Sequence, residues 1–357
     1  MVQQTPPTTP EVTVIIPHHT GYALLQRCLQ SVLASQGVSF HVILVTSAPV
    51  TEHQQFLSEF GADRRFTYWY EQGGPAHKRN YGVAHGGEVQ STYVVFLDDD
   101  VEVSPYCLYE FYLWMEDHPR CGMAFAKIYK MEEGRRDEFD DCGSWLTRSG
   151  FLFARSGNGQ VDRGQFDKPC RCLSSKSATC VVRNRAFMDV TGFDRDYFIL
   201  GEETDMAWRM WLKGWEVWYV PTATSWHAFG CESLKPKLTY YTHERIFYRG
   251  CKNYLSLLFT NLGLAKLYAI LPLHLSLWAT AAVGFCFRKG GASCAVQIMR
   301  GMQDFFLSLP SLQRKRHHVQ STRVVSDRDL WPLISYTPPL TYYWHRLRRY
   351  VSQGLHG

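Results

Sequence analysis

The segment Tyr93-Val94-Val95-Phe96-Leu97-Asp98-Asp99-Asp100 decides how the rest of the chain is read. β-Branched and aromatic residues suit a packed, pleated strand. This one runs straight into three carboxylates, which repel one another unless positive charge lies among them. In open α/β sheets, ligands gather at the C-terminal ends of the strands. A buried strand that delivers carboxylate oxygens to a divalent cation accounts for both halves of the segment. Oxygen ligation suits Mg²⁺ or Mn²⁺, with substrate phosphates filling the remaining positions. An acidic turn open to solvent is the alternative reading.

Upstream, Val12 to Pro17 is an apolar run closed by proline, the pattern of a strand buried on both faces. Leu24, Leu25, Leu29, Val32 and Leu33 follow at helical spacing, and Phe40 to Val45 is a second buried strand. Strand, helix and strand at this spacing form a βαβ unit of a parallel sheet. A helix over Glu52 to Phe60 and a third strand over Phe66 to Tyr70 come next. Gly73-Gly74-Pro75 then makes a turn, and a helix beginning near Ala76 carries Lys78 and Arg79 in its first turns. Cations there oppose the helix dipole. A broken local rule of this kind marks a functional position, so both are expected to face an anion. A solvated helix start is the plainer reading.

Downstream, the pattern predicts a helix over Tyr106 to Trp114 and strands over Gly122 to Tyr129 and Ala178 to Val182. Lys130 to Cys172 is polar and resists assignment; its length fits an active-site loop or a small inserted hairpin. Gly192-Phe193-Asp194 reads as a turn. Glu202, Glu203 and Asp205 stand at the mouth of an apolar helix, Met206 to Leu212, which Gly214 ends. Acids at a helix N-terminus also serve simply to complement the dipole. A strand over Glu216 to Pro221 leads to His227, just past its end and on the edge where the aspartates emerge.

The 357 residues suffice for one large domain with an appendage or for two domains. Aromatic residues make up 15% of the chain, which suits a protein that meets sugars or a membrane interface. Met1 to Glu11 is rich in Pro, Thr and Gln without a basic start or an apolar core, so it reads as a disordered leader rather than a signal peptide. The 11 cysteines are scattered, with only Cys170 and Cys172 close together, which fits reduced thiols in the cytosol better than zinc or disulfides. Eleven Lys/Arg against three Asp/Glu follow Phe287, so the tail carries +8 and the body −3. A basic tail seeks an anionic surface. No base-reading motif accompanies it, so an anionic membrane leaflet fits better than nucleic acid.

Leu267 to Phe287 contains no charged residue and lies between Lys266 and Arg288-Lys289. It is long enough to span a bilayer. Pro272, His274, Ser276, Thr280 and Gly284 dilute it, so an in-plane element and a buried helix hairpin also fit. Arg245, Arg249 and Lys252 among aromatics ahead of it, and Arg314-Lys315-Arg316-His317-His318 behind it, suit headgroup level. The chain thus divides into the leader 1–11, an α/β domain 12–235 and a helical, membrane-associating region 236–357.

Val12 to Pro17, Lys78-Arg79-Asn80, Asp98-Asp99-Asp100, Gly201-Glu202-Glu203-Thr204-Asp205 and His227, in this order and spacing, resemble the family 2 glycosyltransferases. Asp141-Cys142-Gly143, the Gly157 to Phe166 segment, Gly192-Phe193-Asp194, Tyr197-Phe198, Trp208-Arg209 and Gly214-Trp215 resemble its rhamnosyltransferase-like branch. The resemblance covers about residues 12–230, with weaker similarity to near 330. It implies a GT-A fold, an α/β domain around a mostly parallel sheet. It also implies inverting transfer from a nucleotide-diphosphate sugar, assisted by Mg²⁺ or Mn²⁺, by a hexosyl- or rhamnosyltransferase-like enzyme. Carried over by position, Asp98, Asp100 and His227 would hold the metal. Pro17, His19, Thr46, Lys78, Arg79, Asp98 and Asp99 would line the nucleotide-sugar pocket. Glu203 would be the catalytic base where the family usually has Asp, with Glu202 and Asp205 beside it. The second strand ends Val45-Thr46-Ser47-Ala48-Pro49, without the acid that usually reads the nucleobase, so uridine and thymidine donors both fit.

The chemistry of the residues agrees with this. A single displacement needs a base near the acceptor hydroxyl and positive charge near the departing diphosphate. The acceptor implied is a lipid-linked or cell-surface glycan, and the place is the cytoplasmic face of the membrane. A nucleotidyltransferase would need a Gly-rich, Lys-containing phosphate loop, and Pro17-His18-His19-Thr20-Gly21 is a poor one. A catalytically degenerate, membrane-bound scaffold is hard to reconcile with the aspartates, Glu203 and His227 all being present.

Overall fold

A computed structural model describes residues 9–48, 58–86, 91–156, 159–228 and 243–338, together with Gln54 and Phe56. Its frame is a ten-stranded sheet. Strands β1 (Val12–His18), β2 (Phe40–Thr46), β3 (Phe66–Tyr70) and β4 (Tyr93–Leu97) run parallel in the order β4-β1-β2-β3. β1, β2 and β4 are buried along their whole length, which is why each reads as an unbroken apolar run. Alternate side chains feed two cores: Val12, Val14 and Ile16 pack on one face with Leu25 and Leu29 of α1 (Tyr22–Leu33), and Ile15 packs on the other. β1 has β2 on one side and β4 on the other, so the strand order reverses there. A crevice opens at the C-terminal ends of β1 and β4, where His18 and the three aspartates emerge.

Helix α2 (Pro75–His85) covers this crevice's flank, and Gly82 lets it approach. A Cβ at Gly82 would come within 2.7 Å of Ile15. That close approach sets Lys78 and Arg79, one turn earlier, over the strand ends.

Beyond β4 come β5 (Val101–Val103), α3 (Cys107–Asp117) and β6 (Cys121–Lys130). The segment that resisted assignment forms β7 (Phe139–Asp141), which joins β6, a hairpin of β8 (Ser144–Leu146) and β9 (Leu152–Ala154), and β10 (Cys170–Arg171). β11 (Thr179–Arg183) is antiparallel to β4 and β6, while β12 (Glu216–His227) is parallel to β6. α4 (Asn184–Asp189) and α5 (Glu202–Leu212) lie between them.

The helix expected over Tyr106 to Trp114 runs on to Asp117, and two further boundaries differ from expectation in ways that bear on the site. β12 does not stop at Pro221 but continues to His227, through a bulge between Val220 and Thr224. A bulge is one of the few places where a sheet tolerates proline, because the missing N–H has no ladder partner to lose. His227 is therefore held in the sheet, opposite Val101. α5 starts at Glu202, not Met206, after a left-handed turn at Gly201 (φ 94°). Of the expected helix over Glu52 to Phe60, Gln54, Phe56 and Ser58–Phe60 are helical, and the other positions lie outside the described residues. So do most of the leader, the 235/236 boundary and residues 339–357.

The C-terminal third is helical: α6 (His243–Asn261), α7 (Leu264–Cys286), α8 (Ala292–Leu307), α9 (Leu309–Ser321) and the short α10 (Trp331–Ile334). α7 buries one stripe, Leu267, Ile270, His274, Trp278, Ala282 and Phe285, against α6, α8 and the β8–β9 turn. Its other side leaves Tyr268 75% and Val283 58% exposed, so it is not a buried hairpin. Among the described residues it is the one helix long and apolar enough to cross a membrane.

Candidate active site

Five segments converge on the crevice: the end of β1, the first turn of α2, the end of β4, the end of β12 and the first turn of α5. They line one cavity of about 860 Å³.

Arg79 is 1% exposed. Its Nη2 donates to Asp98 Oδ1 at 2.5 Å, and its Nη1 to Glu202 Oε1 at 3.4 Å. The guanidinium also sits 5.3 Å from the ring centre of Phe193. The anions that Arg79 was expected to face are thus in part the protein's own carboxylates. A buried cation needs such partners, because breaking a pair of this kind costs about 3–5 kcal/mol. Lys78 is buried too, and its Nζ donates to the His18 carbonyl at 2.5 Å and to Ser47 Oγ at 2.6 Å. Burial lowers its pKa to about 8, against the pull of Asp99 and Glu71.

Asp98, Asp100 and His227 each bring a ligand atom within 4.8 Å of the others. His227 Nε2 lies 3.4 Å from Asp100 Oδ1. Its Nδ1 donates to Asp140 Oδ2 at 2.9 Å, and Lys176 Nζ donates to the other oxygen of Asp140 at 2.5 Å. Burial alone would lower the pKa of His227, but Asp100 and Asp140 override it and push it up to about 10. Three carboxylates thus surround one imidazole, and Asp100 and Asp140 are buried. Two carboxylates and one imidazole, with the second ring nitrogen held by an acid, make a donor set that fits Mn²⁺ or Mg²⁺.

Glu202 and Glu203 head α5, where the helix dipole favours negative charge. They differ in their partners. Glu202 is buried against Arg79. Glu203 opens further to the cavity and accepts from Thr204 Oγ1 at 3.2 Å. Burial, and then the adjacent Glu202, push Glu203 up to about 8; burial also raises Glu202, against the pull of Arg79. Glu203 is therefore the member of the pair placed to gain and lose a proton near neutrality.

Pro17, His19 and Asp99 line the cavity with these groups. His19 Nδ1 pairs with Ser47 Oγ at 3.0 Å, and Asp99 Oδ2 lies 4.0 Å from His18 Nε2. Thr46 and Asp205 are not among the lining residues. Thr46 Oγ1 pairs with His18 Nδ1 at 2.9 Å and accepts from the Ala48 N–H, so it orients His18. Asp205 accepts from Arg209 Nε at 2.7 Å and Asn261 Nδ2 at 3.0 Å, tying α5 to α6.

Two parts of the site were not foreseen. Asp140 sits in the segment that resisted assignment; the Asp140-Asp141 pair was its only signal in the sequence. The second part is an apolar wall beside Glu203, from Phe151, Phe198, Phe247, Tyr254, Leu257 and Trp278. Phe198 and Leu200 hold positive φ (60° and 70°), an unfavourable conformation for bulky residues. Asn253 of α6 secures it by donating to the carbonyls of Tyr197, Ile199 and Leu200. The C-terminal helices therefore fix the turn that presents Glu202 and Glu203.

Comparison with known proteins matches residues 13–164 to the model of glycosyl transferase family 2 and residues 93–309 to that of glycosyl transferase family group 2. A pre-mycofactocin glycosyltransferase of Mycobacterium tuberculosis is 28% identical over 229 residues, covering 62% of this chain and 44% of the relative. The chain thus spans less than half the length of that curated relative. Among solved structures, GalNAc-T7 with UDP, GalNAc and Mn²⁺ superposes with a TM-score of 0.54 at 12% identity, covering 75% of this chain and 55% of that one. TarS 1-349 of S. aureus in complex with UDP-GlcNAc superposes with a TM-score of 0.51 at 15% identity, covering 87% and 88%. At these identities the structures speak for the GT-A fold alone.

Proposed function

The chain belongs to glycosyltransferase family 2, and on that premise we propose that it moves a sugar from a nucleotide diphosphate to an acceptor hydroxyl with inversion. The observation that carries this reading is the placement of Glu203 in the same cavity as Asp98, Asp100 and His227.

The residues divide the work. Glu203 takes the proton of the attacking hydroxyl, and Glu202, tied to Arg79, keeps the pair's second charge compensated. Arg79 holds Asp98 at the mouth of the nucleotide side. Lys78 supplies a cation at the ends of β1 and β2, beside the pocket expected to take the nucleotide. Mg²⁺ or Mn²⁺ held by Asp98, Asp100 and His227 would neutralise charge on the departing diphosphate. Asp140 keeps His227 turned with Nε2 towards Asp100. Uridine and thymidine diphosphate sugars are the expected donors, since β2 ends in Thr46, followed by Ser47, without an acid to read the base.

The test is nucleotide release by the purified full chain with Mn²⁺ from UDP-sugars, dTDP-rhamnose and GDP-sugars. Release from at least one donor, abolished by chelator, is expected; no release from any, with an intact fold, would sink the proposal.

The acceptor is lipid-linked or part of a glycan, and the protein rests on the cytoplasmic face of an anionic membrane. Support comes from the exposed outer side of α7, which suits in-plane seating, and from the basic tail. The full chain should co-float with vesicles containing phosphatidylserine and leave them in high salt. If it stays in solution in both conditions, the membrane assignment is wrong.

A further inference from the structure

We propose that the acceptor hydroxyl is carried on an apolar body, aliphatic or aromatic, which seats in the lobe of the cavity between α6, α7 and the β8–β9 turn. The proposal rests on the glycosyl-transfer reading and names its acceptor class.

The cavity has two unlike halves. Every charged residue that lines it lies on the side of the strand ends, of α2 or of the head of α5. Beyond Glu203, the wall is formed by Phe151, Phe198, Phe247, Tyr254, Leu257 and Trp278, with no Lys, Arg, Asp or Glu among the described lining residues of this side. Among the described residues of this side, the polar side chains Trp278, Tyr254 and Asn253 each pair within the protein. Trp278 Nε1 donates to His274 Nε2 at 2.9 Å, and His274 Nδ1 donates to the Ser149 carbonyl at 2.8 Å. The Tyr254 hydroxyl accepts from the Leu152 N–H at 3.4 Å, and the Asn253 amide serves three carbonyls.

A free sugar or a phosphate-rich polymer in this lobe would lose water and find few partners. An apolar body loses nothing there and removes carbon surface from water. The metal group and the two cations of α2 mark the other half as the donor's, so a hydroxyl reaching Glu203 arrives from the apolar side. The same helix that contributes Trp278 to the lobe exposes Leu273 and Leu277 on its outer side. The lobe therefore lies directly behind the surface expected to meet lipid.

Gly250 allows a clean test. It lies in the middle of α6 on the lobe wall, and a Cβ there would meet only the Trp278 ring, at an ordinary 3.7 Å. Alanine at this position adds a methyl group without forcing the backbone, leucine extends from it into the lobe, and either favours a helix more than glycine does. Binding of butyl, hexyl and octyl β-glucosides below their micelle concentrations is measured by calorimetry on the full chain, with melting temperature as the check on folding. The wild-type affinity should rise about three- to fourfold per methylene, the equivalent of about 0.8 kcal/mol. Gly250→Leu should bind the octyl glucoside at least about tenfold more weakly and lose the chain-length dependence, with Gly250→Ala in between.

If the octyl glucoside binds no tighter than the butyl, or equally well to wild type and Gly250→Leu, the proposal is overturned and the alkyl chain is meeting an outer surface. Tighter binding of an unsubstituted disaccharide than of the alkyl glucosides overturns it in favour of a glycan acceptor. Failure of the transferase reading looks different: wild type would then bind no nucleoside diphosphate in Mn²⁺ while the chain-length dependence remained, and the lobe would be the site of an apolar ligand of another kind.

Discussion

Glu203→Gln lowers turnover by about 10²–10⁴-fold while donor affinity changes little, because the amide keeps the shape of the side chain but cannot take a proton. Glu202 does not replace it, since Arg79 lies 3.4 Å from that carboxylate. The pH dependence carries the same signature. Burial and the Glu202 charge hold Glu203 at about 8, so wild-type turnover rises about tenfold per pH unit below that value and levels off above it.

The stability effect runs the other way. A folded-state pKa above the unfolded one favours the folded protein below the ordinary carboxylate range, and this contribution is lost as pH climbs through about 8. Replacing Glu203 by Gln removes a charge the fold has to bury, so at pH 9 the variant should melt no lower than wild type. Steady-state kinetics and a melting curve decide this. Lower donor affinity with unchanged turnover would move Glu203 into the nucleotide site and leave the base elsewhere.

Asp100→Ala removes a buried carboxylate from the group formed with Asp98 and His227. Mn²⁺ affinity, read by electron paramagnetic resonance without donor, should fall by more than about 100-fold. Asp140→Asn leaves the ligands in place but weakens the acceptor that orients His227, and should lower affinity by about 10–100-fold, the usual effect of a partner behind the ligands. Activity in Asp100→Ala should vanish at metal concentrations that saturate wild type. Wild-type Mn²⁺ affinity in both variants would mean that these three side chains do not form the metal site.

The strand ends were legible because β1, β2 and β4 are buried on both faces, so their sequences are continuous apolar runs whose ends are easily found. Lys78 and Arg79 were legible because they break a local rule. Asp140 was not, since it meets His227 across 87 residues of chain and belongs to a short strand that the surrounding polar sequence hides. Asp205 was grouped with Glu203 by proximity in sequence, but two residues along a helix turn a side chain through about 200°. It points to Arg209 and Asn261 instead. The apolar lobe depends on how α6 and α7 pack back onto the crevice. Hydropathy identified α7 as a candidate for membrane but could not show that Trp278 of its inner stripe lines the same cavity as the aspartates.

A single displacement with Glu203 as the base leaves its mark on the anomeric configuration of the first-formed product. The donor panel, read by proton NMR at early times instead of by nucleotide release, gives that configuration before mutarotation or secondary transfer obscures it. An α-linked donor should yield the β-anomer first, and a β-linked donor the α-anomer. Retention of the donor's configuration would exclude a single displacement, because it would require either a covalent intermediate or a front-face mechanism in which no general base stands opposite the leaving group.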